Sequence, residues 1–208
     1  MLEEKMEKEN IDSRFKELLR EAARYRFFSL CFQPPRPGLK EEIENIYAEI
    51  GKSEIFNAFS INEVNPDNEH HPVLGAGGAC SSCESEYVGD RLGGKGLLMA
   101  DIAGFYKAFS FIPEIEFRAP VDNISMEFSF LSYITLKEAF ALYRGQDKEI
   151  QICADAKEKF QKEHLLPWVY LFVKKLIEVN PDSFYARISL IMEDFLNKNI
   201  NSHSLPVS

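Results

Sequence analysis

Three observations predict an all-α fold. Apolar residues recur at helical spacing along most of the chain. No alternating apolar–polar run persists long enough to make a strand. Capping residues and breakers fall between the apolar stripes. There is no internal repeat and no heptad array, so about eight or nine helices are expected to pack at globular crossing angles.

The elements follow in order. After Ser13, the positions Phe15, Leu18, Leu19 and Ala22 form one helical face. That helix is expected to stop before Gln33, because Pro34, Pro35, Pro37 and Gly38 follow. Ile43, Ile46, Tyr47 and Ile50 mark a second helix, with Gly51 where a C-cap belongs. Ile55, Ala58 and Phe59 suggest a short helical piece. From Asn62 to Ala79 the pattern vanishes among Pro66, Pro72, Gly75, Gly77 and Gly78, which predicts a long loop. Helical spacing resumes at Cys83 and pauses at Gly89, Gly93, Gly94 and Gly96. It then runs through Leu98, Ile102, Phe105, Tyr106 and Phe109.

Pro113 and Pro120 mark the next loop. Asp122 or Asn123 can cap the helix that follows, because a short polar side chain accepts from an N–H of the first turn. Its buried face is Ile124, Phe128, Leu131, Thr135 and Leu142, and Gly145 ends it. A further helix is expected over residues 147–162, with Ile150, Cys153, Ala154 and Phe160 inward. Pro167 is tolerable only in a first turn, so a new helix is expected to start near His164 and to bury Leu165, Val169, Phe172, Val173 and Leu176. The last helix reads as capped by Asn180 with Pro181 at its first position. Phe184, Ile188, Ile191 and Phe195 form its stripe, and Lys198 suits its C-terminal dipole. One domain is expected over residues 1–200, with a disordered tail over 201–208.

Composition bounds the function. A chain of 208 residues buries roughly 70% of its unfolded surface, so a core forms without disulfides or metals. Hydrophobic residues make up 45%, and there are 17 Phe, which excludes a disordered chain. The net charge of −9 disfavours nucleic acid and anionic lipid and favours a basic peptide. The first ten residues are charged, unlike a secretory leader, and the four cysteines are few and unevenly spaced. Both fit a reducing cytoplasm. The longest apolar run, residues 165–173, is too short to span a bilayer.

Several residues invite chemistry. Cys80 and Cys83 form a lone CxxC that, with His70 and His71, offers four zinc ligand types, or a redox pair. The spacing matches no familiar zinc finger, and the βαβ setting of a redox CxxC is missing. Gly75, Gly77 and Gly78, and again Gly93, Gly94 and Gly96, suggest a phosphate cradle for a nucleotide-dependent enzyme or switch. No strand precedes them and no Lys-Ser/Thr pair follows. Asp122 reads equally as a cap, Glu127 as a first-turn acid on the helix dipole, His164 as a packing group and Trp168 as core. No nucleophile triad has a local signature, so no enzymatic activity is expected.

The strings themselves carry more. Glu84 to Tyr87 form a tyrosine-bearing acidic stretch, followed by Asp101, Gly104, Phe105 and Tyr106. Then come Asp122, Asn123, Ile124 and Glu127, and then Phe160, His164, Leu165, Pro167 and Trp168. In order and spacing, from about Cys80 to Phe195, these resemble the TorD/DmsD/NarJ family of redox-enzyme maturation chaperones. The resemblance implies an all-helical cytoplasmic chaperone without a cofactor. Its partner would be the apo-catalytic subunit of a molybdopterin oxidoreductase, bound through the leader peptide or another segment. Such a chaperone holds that subunit until molybdopterin is inserted and prevents premature twin-arginine export. Stable membrane insertion is not implied, and a homodimer stays open. The family motifs assign peptide binding to Glu84, Tyr87, Tyr106, Asp122, Asn123, Glu127, His164 and Trp168. Asn123 stands where the family pattern expects histidine; it keeps hydrogen-bonding capacity but cannot become cationic.

Overall fold

Helix α5 (Ile124–Tyr143) is the element around which the others pack, because fourteen of its twenty residues are buried. A helix apolar on most of its circumference must be covered on several sides. In the computed structural model, which describes residues 2–50, 66–89, 93–112 and 119–203, α1 (Leu2–Cys31) runs along one side of α5 and α6 (Asp147–Phe160) along another. Helix α2 (Leu39–Ile50) folds back on α1. Helices α7 (Leu166–Val179) and α8 (Phe184–His203) pack together, and α8 touches α1 and the short α3 (Pro66–Leu74). Helix α4 (Lys95–Ala108) contributes Leu98, Ile102 and Tyr106 to the core. Among the described residues there is no strand, and no helix is long and apolar enough to cross a membrane.

The core is aromatic. Tyr25, Phe28, Phe128 and Phe195 meet where α1, α5 and α8 cross; Phe130 and Phe160 join α5 to α6 with ring centroids 4.7 Å apart. Each such side chain gains about 1.5–3 kcal/mol on leaving water. Ser132 is the polar exception on this face. Its hydroxyl donates to the Ala22 carbonyl at 2.9 Å and fixes α5 against α1.

Four elements differ from the sequence expectation. Helix α1 begins eleven residues before Ser13, at Leu2. Its early residues are good helix formers such as Glu, Lys and Met, and Glu9 to Asp12 are exposed, so the helix extends there without an apolar stripe. Helix α3 lies inside the expected loop. Pro66 takes its first position, and tertiary bonds hold a segment too short to be stable alone: Glu69 accepts from Phe184 N at 2.7 Å, and His70 Nδ1 meets the Tyr185 hydroxyl at 2.8 Å. Helices α6 and α7 do not separate at His164; a π-turn over Gln161–Leu165 joins them. It lies just before Pro167, which has no N–H to give to the Glu163 carbonyl, so the ladder changes register there. Finally, Ser183 caps α8, its hydroxyl accepting from Ala186 N at 3.1 Å, while Asn180 closes the preceding turn onto Asp182 N.

Other boundaries agree. Asn123 caps α5, and Gly145 follows it with φ +65°, a conformation glycine adopts without strain. Of the tail expected over 201–208, residues 201–203 continue α8; residues 204–208, the helical piece around Ile55, Ala58 and Phe59, the cap at Gly51 and the breaker Pro113 lie outside the described residues.

One ion cluster ties α1, α5 and α6. Lys157 lies 3.0 Å from Glu138 and 3.1 Å from Glu21, and Arg14 reaches Glu138 at 3.4 Å. Burial opposes the Lys157 charge, but Glu21 and Glu138 outweigh it and hold the ammonium above its ordinary pKa. Breaking a buried pair strands the other charge, at a cost of about 3–5 kcal/mol. Lys157→Ala is therefore expected to lower the free energy of urea unfolding by about that amount. Lys198→Ala, at an exposed pair with Asp194, should change it little.

Candidate functional site

The site is built on the junction between residues 80–88 and the start of α5. Cys83 and Asn123 form an isolated antiparallel bridge. Ile124 N donates to Ser82 O at 2.8 Å, and Glu84 N donates to Asp122 O at 2.9 Å. Asn123 uses both ends of its amide: Oδ1 accepts from Ser125 N at 3.0 Å as the helix cap, and Nδ2 donates to Ser82 Oγ at 2.8 Å. A neutral imidazole also carries one donor and one acceptor, but on two ring nitrogens; the amide carries both on one carbon, facing Ser82 and Ser125. Asp122 Oδ2 accepts from Ser85 N at 3.1 Å. The chain thereby turns into a 3₁₀ turn over Glu84–Glu86 that carries Glu84 into the interior.

Glu84, Asp122 and Glu127 are all fully buried, together with His164 and Trp168. Trp168 Nε1 donates to Glu127 Oε2 at 3.3 Å. His164 Nδ1 lies 3.3 Å from Glu84 Oε2, while its Nε2 lies 3.2 Å from Asp101 Oδ2, outside hydrogen-bond geometry. Tyr106 donates to Val121 O at 2.9 Å. Burial, followed by Glu127, Asp122 and Glu84, pushes the Tyr106 phenol well above its ordinary pKa. Burial also pushes the Glu127 carboxyl well above its ordinary 4.5; Glu84 adds to the rise, the Trp168 bond opposes it, and Asp122 adds again. Buried carboxyls this close avoid full ionisation, so the cluster retains a proton that exposed acids would have lost.

Tyr87 closes the outer side. Its hydroxyl donates to Ser81 O at 2.7 Å, and its ring lies 5.3 Å from that of Trp168. The structure thus brings the eight motif residues into one region, but as an interior network rather than an open surface. Of the eight, Asn123 alone borders a cleft of about 740 Å³ among the described residues.

That cleft runs between the end of α1 (Phe32, Pro34, Pro35), the turn after α3 (Leu74 to Gly78) and the latched segment Cys80 to Cys83. Among the described residues its walls are mostly apolar and backbone, with no carboxylate. Arg36 at its mouth is paired bidentately with Glu42, at 2.6 and 2.8 Å. The sequence marks Pro34–Pro35 as breakers and Gly75, Gly77 and Gly78 as breakers or a phosphate cradle; their clustering of small and rigid residues on two sides of one opening was the signal for a cleft. A second, shallower apolar concavity on α5 and α6 is lined by Phe109, Phe140 and Ile152 with Lys137 and Arg144, and by none of the eight motif residues.

The other candidates resolve differently. The CxxC thiols are not activated. Burial raises the Cys80 thiol, and Cys83 is pushed up to about 11 by burial and then by Asp122. Cys80 Sγ lies 3.3 Å from the Tyr87 hydroxyl, and His70 is committed to Tyr185. Among the described residues, no three of Cys80, Cys83, His70 and His71 present ligand atoms to one point. Gly75 to Gly78 follow the C-terminus of α3, the negative end of a helix dipole, which repels phosphate. A Cβ on Gly78 would lie 2.7 Å from the Val73 carbonyl oxygen, so this glycine permits close backbone packing.

Comparison with known proteins comes to the same place. Residues 73–174 match the family model described as nitrate reductase delta subunit. The structure superposes with a TM-score of 0.58 on a chain from Archaeoglobus fulgidus described as a redox enzyme maturation protein. That match has 17% identity and covers 85% of this chain and 93% of that one. No curated protein sequence matches the chain.

The raised Glu127 pKa has a sign. A carboxyl that holds its proton more tightly folded than unfolded contributes stability below about pH 4.5, which is lost as pH rises toward the folded value. Glu127→Gln keeps an acceptor for Trp168 but removes the titration. The variant is expected to gain stability relative to the parent as pH rises above about 4.5 in parallel urea melts. Parallel pH curves for the two proteins would show that Glu127 does not titrate in this range.

Proposed function

Since the chain belongs, through residues 73–174, to the nitrate reductase delta subunit family of NarJ/TorD-type redox-enzyme maturation chaperones, we propose that it holds an apolar client segment in the cleft beside Cys80 to Cys83 and Asn123. This family is a chaperone class rather than a catalytic one. The client in this reading is the apo-catalytic subunit of a molybdopterin oxidoreductase. Its leader or another segment occupies the cleft until the cofactor is inserted, which delays twin-arginine export from the cytoplasm.

The observation that carries the reading is the placement of the cleft. One wall is the segment latched by Asp122 and Asn123, so the motif residues shape it from behind. Energetics favour an apolar client segment. Burying about 400 Å² of apolar surface yields roughly 10 kcal/mol gross, of which ordering the peptide takes back several. An exposed Arg–carboxylate pair adds only about 0–1 kcal/mol. No acid is among the described lining residues of the cleft, and the −9 net charge acts at long range, steering a basic leader and speeding its association.

Ala76 is an exposed residue on the cleft wall, and enlarging it fills the opening without touching the core. Ala76→Trp is expected to weaken binding of a synthetic leader peptide by at least about tenfold in calorimetry, or about 1.4 kcal/mol, with the melting temperature unchanged. Undiminished affinity in a folded Ala76→Trp protein would place the client elsewhere.

A further inference from the structure

We propose that Asp101 on α4 and Glu163 and His164 on the π-turn form a binding site for one divalent transition-metal ion, with Zn²⁺ as the best fit. Among the described residues this is the only group of three whose ligand atoms come together, all within 4.8 Å of one another. It is separate from the CxxC and from the cleft.

The carrying observation is His164. Its ring is fully buried, yet Nε2 has no hydrogen-bond partner and points to the edge of the fold where the two carboxylates stand. Asp101 Oδ2 lies 3.2 Å away, close enough for a strong bond but off the axis a hydrogen bond needs. Two ligands of one ion show this relation. With metal–ligand distances of about 2.1 Å and angles between tetrahedral and octahedral, they sit about 3.0–3.4 Å apart. Each then lies roughly 35–45° off the other's lone-pair axis.

The surroundings fit the same chemistry. Glu84 Oε2 stands 3.3 Å from His164 Nδ1, the carboxylate–histidine arrangement that fixes the ring tautomer and leaves Nε2 as the ligand. Phe105 and Phe160 flank the ring at 5.5 and 5.0 Å between centroids and keep water from its buried side. The Asp101 and Glu163 side chains are 52% and 44% exposed, which gives an ion an entry path and leaves a position for water. The competing cation, Lys159, lies 3.8 Å from Glu163 on an exposed side chain and is readily displaced. One imidazole and two carboxylates suit Zn²⁺ or Co²⁺, whereas Mg²⁺ prefers an all-oxygen octahedron.

The full chain is titrated with ZnCl₂ by calorimetry near neutral pH, and Co²⁺ is read by absorption. One ion per chain is expected. Asp101→Ala, at an exposed helix position, should weaken Zn²⁺ binding by more than about tenfold while leaving the metal-free melting temperature in place. A Cys80→Ser, Cys83→Ser double variant should bind as the parent does, and the Co²⁺ spectrum should lack a sulfur charge-transfer band. No binding at about 0.1 mM Zn²⁺ would overturn the site. Affinity unchanged by Asp101→Ala, or lost with the cysteines, would overturn it equally.

Discussion

Glu84, Asp122 and Glu127 are buried together, and most of the architecture of residues 73–174 answers to that constraint. Taking an ionised carboxylate out of water costs several kcal/mol unless hydrogen bonds or a proton compensate. The compensation has four parts: Ser85 N for Asp122, Trp168 for Glu127, His164 for Glu84, and a retained proton on Glu127. Each requires a particular backbone placement. The 3₁₀ turn faces Glu84 inward, the cap at Asn123 aims Asp122 outward from α5, and the π-turn sets His164 and Trp168 on neighbouring faces. A network of this kind specifies one arrangement, because leaving any member unpaired costs more than its bond contributes.

The same network explains why acids named by family motifs do not line an opening. Their work is to hold residues 80–88 in an extended path against α5, and that path is a cleft wall. In the proposed reading, affinity for a client rests on apolar and backbone surface at the wall, while the motif carboxylates act through the segment they hold. Asp101 and Glu163 stand exposed beside the buried His164 Nε2, and neither borders the cleft.

Much of the fold was legible in the sequence. The faces of α2, α4, α5 and α8, the Asn123 cap and the Gly145 stop follow from local periodicity and capping chemistry. What was not legible depends on contacts between distant residues or on solvated helix. Helix α3 exists through Glu69 and His70 bonding to α8, and Glu9 to Asp12 of α1 are exposed. Pro167 suggested a helix start, whereas a change of ladder register accommodates it with no break. The motif residues were legible as a set, but their burial was not. Spacing gives the face of a helix and not which neighbour covers it, and Glu84 is covered only because Asp122 and Asn123 fold its segment inward.

The central claim is that the client lies in the cleft beside residues 80–83. Photo-crosslinking tests it most directly, with a benzophenone amino acid placed at Ala119 on the cleft wall or at Ile152 in the α5–α6 concavity, in otherwise intact protein. Crosslinks to the leader peptide from position 119 and none from 152 are predicted. Crosslinks from position 152 alone would contradict the account and move the client to the opposite concavity.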